Sequence, residues 1–197
     1  MNNNINVTRG WGLLEGFLAK KRAKMANKFI KNNQKKERIL DIGCGSYPYF
    51  LLNTDIKEKY GIDPSLNFLE VKGINMKKLD VTKQKLPFKD NFFEVVTMLA
   101  VFEHLDYDRL DFVLKEIRRI LQKNGLLVVT TPAPWSDKLL HFMALFGLIS
   151  KEEIHEHKHH YNMNAIEKML TSADFEKNNV KGGYFELGLN MWFTAKK

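Results

Sequence analysis

From residue 38 onward the chain alternates short apolar runs with stretches of helical period. RILDIG (38–43), KYGID (59–63), a weaker run at 75–80, FFEVVTML (92–99) and GLLVVTT (125–131) predict five strands, and two more are expected near 178–186 and 189–196. Between the fourth and fifth strands, Leu110, Val113, Leu114, Ile117 and Leu121 recur at helical spacing. Asp106 is the predicted N-cap of that helix and Gly125 its stop. Asn164 followed by Glu167 resembles a capping box for a later helix reaching about Ala173. Apolar strands separated by helices predict a mostly parallel sheet covered on both faces. With 197 residues, 44% of them hydrophobic, the chain suits one α/β domain with room for a ligand crevice.

The sharpest break in the pattern is RILDIGCGSYPYFLLN, residues 38–53. A strand ending at Ile42, glycines at Gly43 and Gly45 and a helix start near Pro48 place bare backbone at the carboxyl edge of a central strand. Open α/β sheets bind ligands at that edge. A dinucleotide loop of the G-x-G-x-x-G kind requires glycine where Pro48 stands, and proline offers no N–H to a phosphate. Asp41 disfavours a phosphate further and favours a cationic amino-acid portion. Asp63, 20 residues after Gly43, can accept both hydroxyls of a ribose or cap the turn at Pro64. The loop therefore points to a nucleoside ligand without phosphates.

Charge sharpens the division of the chain. The net charge of +8 resides in residues 1–38, which hold ten Lys/Arg against Glu15 and Glu37, while the remainder carries 21 of each sign. On a helix Trp11, Leu14, Leu18, Met25 and Phe29 share a stripe that Arg22 interrupts. That stripe predicts either a basic amphipathic helix at a membrane surface or anionic partner, or a leading helix packed on the domain. Cys44 is the single cysteine, so no disulfide forms within the chain, and it reads as a small buried residue. MNNNINVTRG lacks the layout of a signal peptide and no apolar run is long enough to span a membrane, so a cytoplasmic location is expected.

Taken together, LDIGCGS, YGIDPS, LDVTKQKLPFKDNFFEVVTMLAVFEHL and EIRRILQKNGLLVVTTPAP resemble, in order and spacing, the motifs of class I S-adenosylmethionine-dependent methyltransferases. The resemblance runs from about residue 37 to 197. It implies a single Rossmann-like, three-layer α/β domain with a mostly parallel seven-stranded sheet whose last strand is antiparallel. A basic helical extension (1–36) precedes it, and a helical lid is inserted at about 134–152. It implies S-adenosylmethionine as cofactor and S-adenosylhomocysteine as product. Asp41, Gly43, Gly45, Tyr47, Asp63, Pro64, Asp80, Val81, Leu99 and Ala100 would line the cofactor, with Asp63 on the ribose and Asp80 and Val81 at the adenine.

The residues after the fourth strand narrow the choice of acceptor. LAVFEH stands where enzymes acting on the exocyclic amines of bases carry an Asn-Pro-Pro-Tyr type sequence, and no cysteine lies outside the loop for cytosine C5 chemistry. Glu103-His104 resembles the pair of small-molecule members, the ubiquinone and menaquinone pathway enzymes among them. The insertion APWSDKLLHFMALFGLIS is too apolar for one buried helix face. It reads as a lid over the acceptor, a dimer contact, or packing. Trp135, Phe142, Tyr161 and Glu103 are the expected acceptor residues, and His104, His159 and His160 contain the expected base. In the cluster HEHKHHY (155–161) no set of carboxylates or cysteines completes a preferred metal geometry and the segment reads as a loop before a helix, so no metal is expected. The expected function is methyl transfer to a small-molecule, glycan or lipid-linked acceptor, with peripheral membrane contact through the basic helix or lid. An RNA or ribosomal methyltransferase using the basic segment, or a non-catalytic cofactor-binding protein, are the alternatives.

Overall fold

Strands β1 (Arg38–Ile42), β2 (Glu58–Asp63), β3 (Ile74–Lys78), β4 (Phe93–Leu99), β5 (Leu121–Pro132), β6 (Val180–Phe185) and β7 (Asn190–Lys196) form one sheet in the order β3-β2-β1-β4-β5-β7-β6. This is a computed structural model, and it describes residues 15–31, 37–66, 71–136 and 161–197. Strands β3, β2, β1, β4 and β5 are mutually parallel, and β7 runs antiparallel to both β5 and β6. The seven-stranded, mostly parallel sheet with a reversed final strand is the expected one. Its order turns back between β1 and β4, and open α/β sheets bind ligands at the carboxyl edge of such a switch point.

The two faces of the sheet are covered by different helices. Leu40, Val96, Met98, Leu127 and Val129 pack with Leu110, Val113 and Ile117 of α3 (Tyr107–Ile120) and with Ile166 and Leu170 of α4 (Met163–Ser172). Ile39, Val95, Leu126 and Val128, the alternate positions, pack with Ala23, Ala26 and Ile30 of α1 (Glu15–Lys31) and with Phe50 and Leu51 of α2 (Tyr49–Leu52). Each such side chain contributes roughly 1.5–3 kcal/mol by leaving water, which is why the central strands are apolar on both faces.

Three local expectations are corrected. Helix α3 ends at Ile120, because Leu121 is already extended and pairs with Phe93. The turn at Asn124, whose φ is 64°, and Gly125 is therefore a kink inside β5 and does not stop the helix. Helix α4 is capped by Asn162, whose side chain accepts the Ala165 N–H at 2.9 Å, while Glu167 faces Lys177 at 3.6 Å. The predicted Asn164 box is absent because a cap must precede the first helical turn. Asp106 does stand at the N-cap of α3, but its side chain caps no first-turn N–H.

Helix α1 buries a different stripe from the one its large apolar residues suggest. Ala23, Ala26 and Ile30 form the buried line, and Leu18, Met25 and Phe29 are half-buried on its flank, where Phe29 meets Trp192 at 4.5 Å. Small residues win the core face because they let the helix backbone approach the sheet. Trp11 and Leu14 lie outside the described residues. No described helix is long and apolar enough to cross a membrane.

Candidate cofactor site

Directly after β1 the chain turns through two glycines in left-handed conformations, with φ of 77° at Gly43 and 69° at Gly45. L-residues with a Cβ pay for that region sterically, so glycine is the residue that fits. The two positions differ in surroundings. A Cβ on Gly43 would overlap the Val101 side chain, so the loop after β1 lies against the loop after β4. At Gly45 the same atom would meet open space. The first glycine is thus a packing requirement, and the second borders the crevice. The Gly43 N–H donates to Ile62 O at 2.8 Å, which ties the turn to β2.

Asp63, at the end of β2, is buried and completes the turn. Its Oδ2 accepts the Gly45 N–H at 3.0 Å, and its Oδ1 accepts both the N–H and the hydroxyl of Ser65, at 2.8 and 2.5 Å. The two sequence readings of this acid meet here: it caps the turn that contains the exposed Pro64, and it also reaches the glycine loop.

Beneath the loop lies Asp41, buried in β1, whose Oδ1 accepts the Thr97 hydroxyl at 2.6 Å. Burial pushes its pKa up to about 7; the Thr97 hydrogen bond opposes this and the neighbouring Asp63 adds to it. A cation placed above Asp41 would reverse the balance by favouring the ionised form. Asp80 follows β3 and accepts the Thr82 N–H and hydroxyl at 3.0 and 2.7 Å, with Lys83 Nζ 3.0 Å away. Burial raises its pKa, but Thr82 and Lys83 together bring it below the ordinary value. Val81 beside it is buried.

On the other side of the crevice β4 ends at Leu99 and the chain reverses at Ala100, whose φ of 57° is rare for a residue with a Cβ. The Ala100 N–H donates to Thr130 O at 2.9 Å, fixing that turn to β5. A short helical turn, Phe102–His104, comes next. Phe102 is fully buried, Glu103 is buried with its Oε2 accepting the Thr131 hydroxyl at 3.0 Å, and His104 is half-buried. Tyr161 donates its hydroxyl to Leu105 O at 3.0 Å and meets Phe102 edge-on at 6.0 Å. Burial, with Asp106 and Tyr107 nearby, pushes the Tyr161 hydroxyl up to about 12, so it stays a donor at neutral pH. Val101 and Tyr161 thereby hold the His104 segment from both sides.

Most of the residues expected at the site converge on this edge: Asp41, Gly43, Gly45, Asp63, Asp80, Val81, Leu99, Ala100, Glu103 and His104, with Tyr47 half-buried in the loop. Glu103 is turned into the protein toward Thr131. Trp135 is exposed, in the turn after β5. Phe142, His159 and His160, and the histidines 155 and 157, lie outside the described residues. Cys44 is buried, as expected. Sequence reasoning missed Thr97, Ser65, Thr82 and Thr131, the hydroxyl partners of the four acids Asp41, Asp63, Asp80 and Glu103. Thr97 had a signal, a lone polar residue in an apolar strand, but its partner is visible only from the β1–β4 register, in which Asp41 faces Thr97.

These residues fit S-adenosylmethionine. Gly45 leaves room beside the loop, Asp63 is a buried carboxylate bonded to the Gly45 N–H, and Asp41 is a buried acid suited to an ammonium. The comparisons agree. The family described as "Methyltransferase domain" matches residues 11–180. The chain is similar to an uncharacterized protein of Methanocaldococcus jannaschii, 39% identical over 97 residues that cover 49% of this chain and 41% of that one. It is also similar to the ubiquinone biosynthesis O-methyltransferase of Rickettsia prowazekii, 25% identical over 177 residues that cover 82% of this chain and 67% of the relative. The chain thus spans about two fifths and two thirds of the lengths of these relatives. Among solved structures, a SAM-dependent methyltransferase from Archaeoglobus fulgidus shares the fold with a TM-score of 0.71 at 20% identity, covering 91% of this chain and 94% of that one. The chain belongs to the methyltransferase domain family, and it is of the class I, S-adenosylmethionine-dependent kind.

Proposed function

We propose that this protein transfers the methyl group of S-adenosylmethionine to a small acceptor, lipid-linked or glycan in character. The observation that carries the reading is that the loop after β4, which bears His104 and is fastened by Tyr161, packs through Val101 on the glycine loop that Asp63 holds. The relative named as a ubiquinone biosynthesis O-methyltransferase supports an acceptor of this class.

When bound, S-adenosylmethionine supplies a methyl group already activated on a sulfonium. The chain's own work is then to bind, orient and deprotonate. Asp63 would accept ribose hydroxyls, Asp41 would face the ammonium of the amino-acid portion, and Asp80 with Val81 would border the adenine. Leu99 and Ala100 would border the amino-acid portion from the other side. An in-line displacement needs the nucleophile about 3 Å from the methyl carbon in a site without water. Tyr161 and Glu103 would stand on the acceptor side, Glu103 through its hold on Thr131. A hydroxyl nucleophile must also lose its proton, and one of His104, His159 and His160 takes it.

The reading is tested by incubating the protein with S-adenosylmethionine labelled in its methyl group and an extract of cells, then separating organic-soluble molecules, RNA and protein. Label in the organic-soluble fraction is expected. Label in RNA would replace this reading with one that uses the basic helix α1, and consumption of no cofactor would leave a binding protein without transfer.

A further inference from the structure

We propose that the end of the molecule formed by the start of α1, the β6–β7 turn and Trp135 docks on an anionic membrane surface. The turn itself is the first observation. Glu186 and Leu187 both have left-handed backbones, with φ of 53° and 57°, and Leu187 is 99% exposed. A leucine is disfavoured both in that conformation and in water, so neither local geometry nor the core explains it. A single exposed leucine is ordinary. Convergence makes this one different.

Of the six large hydrophobics exposed among the described residues, three meet at this end. Gly188 lies under the Trp135 indole, 3.3 Å from its Cζ2 to where a Cβ would stand. Glu186 lies within electrostatic reach of Arg22 and Lys21. The third, Phe17, sits one turn from Lys21, whose Nζ is 5.0 Å from its ring centroid. Since β7 pairs antiparallel with β5, and Asn190 faces Pro132, the turn projects at the carboxyl edge, the one that carries the cofactor loop.

Charge chooses the occupant. Helix α1 carries six Lys/Arg against Glu15, and its exposed positions Phe17, Lys20, Lys21, Lys24 and Lys28 fall on one stripe opposite the buried Ala23, Ala26 and Ile30. Apolar points ringed by lysines suit the boundary between anionic headgroups and acyl chains, where indoles also settle. A nucleic acid would use the lysines and stack on Trp135, but it offers nothing to a leucine at the tip of a turn. Vesicle binding needs no turnover, so this surface stands or falls apart from the acceptor reading.

The test is sedimentation of the full chain with phosphatidylcholine vesicles, with and without phosphatidylglycerol. Binding to the anionic vesicles that weakens with added salt is expected. Leu187→Asn should lower partitioning roughly tenfold or more by removing the inserted side chain. Asparagine tolerates the left-handed backbone, so the turn survives. The double variant Lys20→Glu/Lys21→Glu, on an exposed helix face, should lower it at least about tenfold. Failure of the wild-type chain to sediment with anionic vesicles would overturn the proposal, as would both variants binding like wild type. A concentration-dependent dimer that Leu187→Asn disperses, without vesicle binding, would assign the surface to a second copy instead.

Discussion

Asp63 Oδ2 accepts the Gly45 N–H at 3.0 Å, so the acid that ends β2 holds in place the turn after β1. Two segments separated by a helix and a strand are therefore tied into one unit. Removing the carboxylate does two things at once. Asp63→Ala leaves the Gly45 and Ser65 N–H groups without their acceptor, costing about 1–3 kcal/mol of stability, and it weakens S-adenosylhomocysteine binding by a similar amount. Thermal melts without ligand and calorimetric titration separate the two effects. Unchanged affinity would show that the ribose is held elsewhere.

The two loop glycines should answer differently to the same substitution. Gly43→Ala suffers the left-handed backbone, about 1–2 kcal/mol, and crowds Val101, adding on the order of 1–3 kcal/mol. Gly45→Ala suffers the backbone term alone, but its methyl group enters the open space beside the loop, so its larger effect is on cofactor affinity. Denaturant unfolding should rank Gly43→Ala as the less stable variant, and titration should rank Gly45→Ala well below wild type in affinity.

Asp41 makes the free protein sensitive to pH. Its folded pKa, about 7, lies above the ordinary 3.8, so the folded state holds a proton that the unfolded chain has released. That contribution to stability is fully present below about pH 4 and is lost as pH rises through about 7. Asp41→Asn should flatten this part of the stability profile. A cofactor ammonium favours the ionised carboxylate, so affinity should rise between pH 6 and 8 in wild type and change less in the variant. Titrations in buffers of different ionisation enthalpy should detect proton release on binding at pH 6.

Much of this site is legible in the chain because its parts are local. Asp41, Gly43 and Gly45 lie within five residues, and strand, glycine turn and second-strand acid appear in the order that the parallel sheet requires. What the chain does not display is long-range pairing. Thr97 meets Asp41 and Thr131 meets Glu103 only through the registers of β4 and β5. The stripe that α1 buries also escaped, since close approach to the sheet favours Ala23 and Ala26 over the larger residues beside them. Gly125 misled for a related reason: Leu121 is pulled into pairing with Phe93 before the helix reaches the glycine.

His104 is the described candidate for the acceptor base, and the Tyr161–Leu105 bond holds its segment. Once an acceptor is in hand, His104→Ala should slow single turnover by roughly 10²–10⁴ with little change in cofactor affinity. Tyr161→Phe should have a smaller effect on the rate, through misplacement of the segment. Wild-type rates in alanine variants at His104, His159 and His160 would mean that proximity alone carries the reaction.

The glycine loop and its acids should select a nucleoside that carries an ammonium and no phosphate. Calorimetric titration of the wild-type chain with S-adenosylhomocysteine and, separately, with NAD tests this most directly. One S-adenosylhomocysteine per chain is expected, stabilising the fold by about 2.7 kcal/mol at a hundredfold excess over the dissociation constant, with no heat and no shift in melting from NAD. Binding of NAD, or no binding of S-adenosylhomocysteine, would contradict it.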